Sequence, residues 1–171
     1  MLATQEDTYE SDLASGVSLA GTYVTLELSG VTIGVAVRHV REILDLVEIS
    51  PLPSAPHNVE GLIDIRGASI PIVDMRHWLG LSHQETGADT RIVVFEIEGQ
   101  AGRQPIGIFA DRVKDVTTIV DTEIEAPPEV ATGMPETTSL VGVARKDDSL
   151  IFLLNVTQLF GSADLGGSFS L

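Results

Sequence analysis

The amino-acid sequence predicts an all-β fold built twice over, and three observations predict it. Val, Ile and Thr supply 46 of the 171 residues, and these are the residues that fit a pleated, half-buried surface. The apolar runs are short and bounded by Gly, Pro, Asp or Asn, as strands between turns are. The stretch Val59–Gly80 (VEGLIDIRGASIPIVDMRHWLG) returns further on as LVGVARKDDSLIFLLNVTQLFG, Leu140–Gly161. At an offset of 81, Gly142 meets Gly61, Ile151 meets Ile70 and Asn155 meets Asp74. An internal repeat of this kind decides architecture. It predicts two similar five-stranded units, each closing as a small barrel with a short capped helix.

Met1 to about Ala20 is acidic and aperiodic, and reads as a disordered tail. Thr22–Leu28 (TYVTLEL) is the first strand, Ser29-Gly30 a turn, and Val31–Val35 the second strand. Ala36–Val40 is too short for a free helix and reads as a single turn or bulge that re-aims the chain. Glu42–Ile49 is the third strand. Ser50–His57 carries Pro51, Pro53 and Pro56, a stiff extended crossing. Leu62–Ile65 and Ser69–Val73 then form a hairpin across Arg66-Gly67. Pro71 has no N–H for a ladder, so an edge, a strand start or a bulge is expected there. Asp74 is a favoured N-cap, and Gly80 is the residue type that follows a helix end, so Met75–Leu79 reads as a helix.

Leu81–Thr90 is polar and reads as a linker. Beyond it, Ile92–Ile97 falls on Tyr23–Leu28 at an offset of 69, and Ile106–Val120 falls on Ile33–Val47 at 73. Pro127-Pro128 repeats the proline crossing, and the last hairpin and helix take the offset of 81. The offset grows only between strands, where insertions are tolerated. Gly161–Leu171 reads as a frayed tail. The expectation is one domain over residues 21–160, with halves near 21–80 and 90–160 and exchange of strands between them left open. A half of roughly 65 residues is marginal alone, so the halves should share packed surface.

Composition excludes several classes of function. There is no cysteine, hence no disulfide framework and no thiolate chemistry. The formal net charge is −15, and no basic patch stands ready to neutralise a nucleic acid or an anionic membrane. No apolar run approaches the roughly 20 residues that span a bilayer, and the acidic N-terminus is unlike a signal peptide. A cytoplasmic protein is expected. No phosphate loop or nucleophile elbow is present. His39, His57, His77 and His83 form no paired metal motif. No catalytic residue, metal site or cofactor is expected.

The remaining candidates are for binding. Asp64 and Asp74 lie ten apart on a hairpin, but a helix cap and a strand-end acid account for them. Arg66 is a lone base at a tight turn of an acidic protein. It either pairs internally, with Asp64, Glu60 or Glu42, or presents its guanidinium to a partner's carboxylate. Val40 and Val113 take matching places in the two repeats, as core residues or as contact residues.

The chain resembles the bacterial chemotaxis coupling family, CheW. The resemblance runs from about Ala20 to Phe160, through VRHVREILDLVEISPLPSAP (Val37–Pro56), VEGLIDIRGASIPIVDMR (Val59–Arg76), TRIVVFEIEG (Thr90–Gly99) and IGIFADRVKDV (Ile106–Val116). Its most specific part is the proline crossing followed by G-x-x-x-x-R-G-x-x-x-P-x-x-D, Gly61 to Asp74. The family pattern has Asn where this chain has Asp64, which bears on the turn.

The resemblance implies two SH3-like five-stranded β-barrels packed together and no catalytic activity. It implies a scaffold between the cytoplasmic tips of chemoreceptors, held in an apolar groove between the barrels, and the regulatory domain of the histidine kinase CheA, contacted through barrel ends. Carried over by position, the coupling residues are Val40, Glu42, Gly61 and Arg66, with Val113 added by repeat symmetry. Competing readings are a CheW-like paralogue in another chemosensory pathway and a small-ligand-binding β-barrel. A nucleic-acid-binding barrel is opposed by the charge and the few aromatics.

Overall fold

The computed structural model describes residues 18–56, 58–99, 102–128 and 139–162. The expected N-terminal tail before Ser18 and the C-terminal tail after Ser162 lie outside them.

Among the described residues, eleven strands form two sheets. In chain order they are β1 (Gly21–Leu28), β2 (Val31–Ala36), β3 (Val40–Leu44), β4 (Val59–Ile65), β5 (Ala68–Val73), β6 (Arg91–Gly99), β7 (Gly102–Ala110), β8 (Arg112–Ile119), β9 (Ile124–Glu125), β10 (Leu140–Lys146) and β11 (Ser149–Leu154). Helix α1 is Met75–Leu79 and helix α2 is Val156–Ser162. One sheet has the order β8-β1-β2-β11-β10-β9, the other β3-β6-β7-β5-β4. The all-β expectation with short capping helices holds.

Each sheet draws strands from both halves of the chain. β1 pairs with β8, Leu26 facing Val113, and β3 pairs with β6, Val40 facing Phe95. The parallel joins are equivalent too: Leu153 lies against Gly34, and Ile72 against Gly107. A pseudo-two-fold thus relates the sheets: every strand of the five-stranded sheet has its counterpart one repeat away, and β9 of the other answers to the isolated Ser50–Leu62 bridge.

Packing explains why the strands read as continuous apolar runs: both faces of the central ones are buried. On β6, Ile92 and Val94 point to a small core with Ile63, Ile70 and Ile72, inside the curl of one sheet. Val93, Phe95 and Ile97 point the other way, to a large core shared with Leu26, Leu28, Ile33 and Val35 of the other sheet. Tyr23, Ile119, Ala144, Ile151 and Leu153 fill the second curl. Burying a Leu, Ile or Phe stabilises by roughly 1.5–3 kcal/mol, so the shared core is the principal cement between the sheets.

Three local readings differ from expectation. The third strand ends at Leu44 rather than Ile49, because the chain leaves β6 to cross over, and Ser50 bonds both ways to Leu62 on β4. Pro71 lies on a central strand. Leu62, its partner across the ladder, turns its N–H and C=O to Ser50, so it asks nothing of Pro71, and the parallel ladder to β7 starts only at Ile72. Helix α2 runs through Gly161 to Ser162 instead of stopping. Elsewhere the local chemistry is as read: a 3-10 turn at Val37–His39 re-aims the chain, Asp74 Oδ1 accepts the Arg76 N–H at 3.0 Å, and Gly80 takes φ 65°.

Candidate functional site

The hairpin between β4 and β5 turns on two residues, Arg66 at φ 51° and Gly67 at φ 83°. Positive φ at both marks the primed turn that matches strand twist. Asp64 Oδ1 accepts the Gly67 N–H at 3.0 Å. A carboxylate accepts here as an amide oxygen would, so Asp64 preserves the turn.

The Arg66 guanidinium donates from Nη2 to Glu42 Oε1 at 2.8 Å. Glu42 follows a bulge on β3, and β3 and β4 are the two edges of their sheet. The pair therefore spans the seam where that sheet curls closed. Its side chains are 69 % and 20 % exposed for Arg66 and Glu42. A pair so open to solvent contributes about 0–1 kcal/mol to stability. Most of the five guanidinium donors stay free for another carboxylate.

Gly61 plays a structural part in the same barrel. It sits at a bulge of β4 with φ 153°, and a Cβ there would run into the Ser50 carbonyl and within 2.7 Å of Ile49 Cγ2. Absence of a side chain lets the proline crossing lie down on β4. Val40 is half-buried against the shared core, and Val113 is its counterpart on the other barrel. The structure thus gathers Val40, Glu42, Gly61 and Arg66 on one barrel and leaves Val113 on the other. The positions equivalent to Glu42 and Arg66 are Asp115 and Asp147, so the second barrel offers acids where the first offers an ion pair.

Residue-by-residue reading of the sequence did not find the apolar groove. It encloses about 790 Å³. Val31 and Ile33 of β2 and Phe152 and Leu154 of β11 form one wall, and Trp78 and Leu81, on and just after α1, form the other. The wall exists because β2 and β11 join in parallel across the two repeats, a pairing that no local pattern announces. Trp78 is held by an edge-on contact with Phe160, centroids 5.2 Å apart. Near the groove in the chain, two residues before Val31 and two before Trp78, Ser29 and Arg76 join Asp111 in a charged network.

Titratable chemistry is sparse. Burial, reinforced by Arg38, pushes the His39 imidazole below its ordinary value, with a backbone hydrogen bond at Glu96 opposing. Burial raises the Tyr23 phenol, whose hydroxyl donates to the Leu19 carbonyl at 2.6 Å. Among the described residues no cluster of three His, Asp or Glu is placed to hold a metal ion.

Comparison with known proteins is consistent throughout. The chain is 30% identical over 146 residues to the chemotaxis protein CheW of Treponema pallidum (strain Nichols), covering 83% of each chain. It is 30% identical over 133 residues to the protein FrzA of Myxococcus xanthus, covering 77% of this chain and 79% of that one. The crystal structure of the scaffolding protein TtCheW from Thermoanaerobacter tengcongensis superposes with a TM-score of 0.70 at 29% identity, covering 84% of this chain and 90% of that chain. A family model described as the CheW-like domain matches residues 22–164, and with that match over the whole two-sheet body the chain belongs to the CheW-like domain family.

Proposed function

We propose that this chain is a non-catalytic chemosensory scaffold, coupling the cytoplasmic hairpin tips of chemoreceptors to the regulatory domain of the histidine kinase CheA. The observation that carries the reading is the apolar groove between the β2–β11 join and helix α1 in a chain of this family. Its walls are strands and a capped helix, and their apolar lining suits the apolar face of a helix. The Arg66–Glu42 end of the first barrel takes the kinase, with Val40 behind it and Gly61 holding the crossing in place. Val113, on the other barrel, is a subsidiary contact. The proposed location is the cytoplasm, at receptor arrays; among the described residues no helix is long and apolar enough to cross a membrane.

A scaffold of this kind transmits only differences in binding free energy. Receptor states that engage the groove differently alter the relative placement of the barrels, and so the footing of the kinase domain. The similarity to FrzA, a relative not named for CheW, favours one second reading: the same scaffold in another chemosensory pathway.

The test is co-precipitation with a CheA regulatory domain and a receptor signalling fragment from the same organism. Wild type, Arg66→Ala, Val40→Asp and Val31→Asp are compared, with folding checked by circular dichroism. Arg66→Ala and Val40→Asp should weaken the kinase contact, and Val31→Asp the receptor contact. Each loss should be about 2 kcal/mol, roughly 30-fold in Kd, as for a central anchor. If folded wild type binds neither partner at concentrations on the order of tens of micromolar, the coupling reading fails for these partners.

A further inference from the structure

The charged network of Arg76, Asp111 and Ser29 joins the chain segments that carry the groove's two walls. Arg76 is buried, its side chain only 5% exposed. Its Nε donates to Ser29 Oγ at 3.1 Å, and its Nη2 donates to Asp111 Oδ1. Asp111 accepts the Ser29 N–H through Oδ2 at 2.6 Å, and its own N–H donates to the Glu27 carbonyl at 2.9 Å. Ser29 Oγ in turn donates to the Ser82 carbonyl.

Three pieces of chain converge here: the β1–β2 turn, the start of α1 with the segment after it, and the single-residue link between β7 and β8. The placement relative to the groove is immediate. Ser29 lies two residues before Val31, on one wall. Arg76 lies two residues before Trp78, on the other, and Ser82 follows Leu81 directly.

Two properties make this network a switch and not merely a brace. A buried charge needs a partner, and Arg76 has two within reach: Asp111, and Asp74 at the start of α1, whose Oδ1 lies 3.7 Å from Arg76 Nη1. Its alternatives are therefore discrete: Arg76 held to Asp111, or left with Asp74 on its own helix. The wall facing α1 is also not fully satisfied in the observed state. Ser139, at the groove, is 2% exposed, and its Oγ has no hydrogen-bond partner. A buried hydroxyl without a partner costs free energy, which a wider groove would relieve.

We propose that Arg76, Asp111 and Ser29 form a latch that sets the width of the apolar groove, and that release of the latch moves the α1 wall away from β2 and β11. The three are positioning residues; the groove residues make the contacts. The link to receptor binding rests on the function proposed above, but the latch itself is a property of the free chain and is tested without any partner.

The chain supplies its own reporters. Trp78 is the single tryptophan and stands on the moving wall. The absence of cysteine allows spin labels at His77→Cys on α1 and Ser149→Cys on β11, both exposed. In Asp111→Asn, which keeps an acceptor but removes the charge, the Trp78 emission should shift to longer wavelength and be quenched more by acrylamide. The label-to-label distance distribution should broaden toward longer values, with the β circular dichroism unchanged. Ser29→Ala, which removes only the hydroxyl links, should move the same readouts the same way by less, and it carries the test if Asp111→Asn does not fold. Ser139→Ala breaks no bond and should raise the unfolding midpoint. A folded latch variant with unchanged Trp78 quenching and unchanged distances overturns the latch, and a lowered midpoint in Ser139→Ala overturns the unsatisfied closed state.

Discussion

Gly61 shows how a residue in a partner-binding motif can act through backbone geometry alone. At φ 153°, with the Ser50 carbonyl where a Cβ would go, any side chain must push the proline crossing off β4. Gly61→Ala should destabilise by about 1–3 kcal/mol, as strain at a special backbone position does, read as a lowered midpoint in urea unfolding. The glycine is visible in the sequence; its reason is not, because Ser50 and Gly61 meet only after the crossing folds back.

His39 gives a pH signature. Its folded value lies below the ordinary 6.5, burial being the first cause. Between that lowered value and 6.5 the unfolded chain binds a proton that the folded chain refuses. The neutral imidazole's contribution is therefore fully present above 6.5 and is lost as pH falls through the folded value. His39→Gln should flatten the stability-against-pH slope in that interval, measured by denaturant midpoints between pH 7 and 5; an unchanged slope would sink the assignment.

At the scale of elements, local chemistry was legible wherever the answer lay within a few residues. Asp74 and Asn155 cap helices one repeat apart: Asp74 accepts from Arg76, and Asn155 Oδ1 accepts the Gln158 N–H at 3.1 Å. Asn155→Ala should cost about 1 kcal/mol, the usual value of an N-cap, seen as a fall in thermal midpoint. What escaped was decided at a distance. Glu42–Ile49 carries strand-forming residues to its end, yet Ile43, Leu46 and Val47 stay exposed, because the chain must leave β6 for Ser50 to reach Leu62. Gly161 matches Gly80 by position, but α2 continues past it. The residues that line the apolar groove escaped for the same reason, since its wall is a parallel join between strands from opposite halves.

For the whole molecule, the repeat was readable but the pairing between repeats was not. Similar halves leave open whether each barrel folds its own stretch of chain or the halves exchange strands. The sheets show exchange: β8 lies on β1, β3 on β6, β11 on β2 and β7 on β5. The segment before the Leu81–Thr90 linker holds two strands of one sheet and three of the other, so neither sheet can be completed from it. Alone it would leave both the shared core and long strand edges open to water. Cutting the chain within that linker should therefore give two fragments, each without β circular dichroism and prone to aggregate. Mixed in equal amounts, they should recover the β spectrum and a cooperative unfolding transition that depends on concentration. A fragment that folds alone would show that one half contains enough of a core to stand by itself, and the exchanged pairing would then not be what makes the body single. The same exchange explains how a small scaffold can carry a signal: β3, at one barrel's seam, is joined through the Val37–His39 turn directly to β2 of the other sheet.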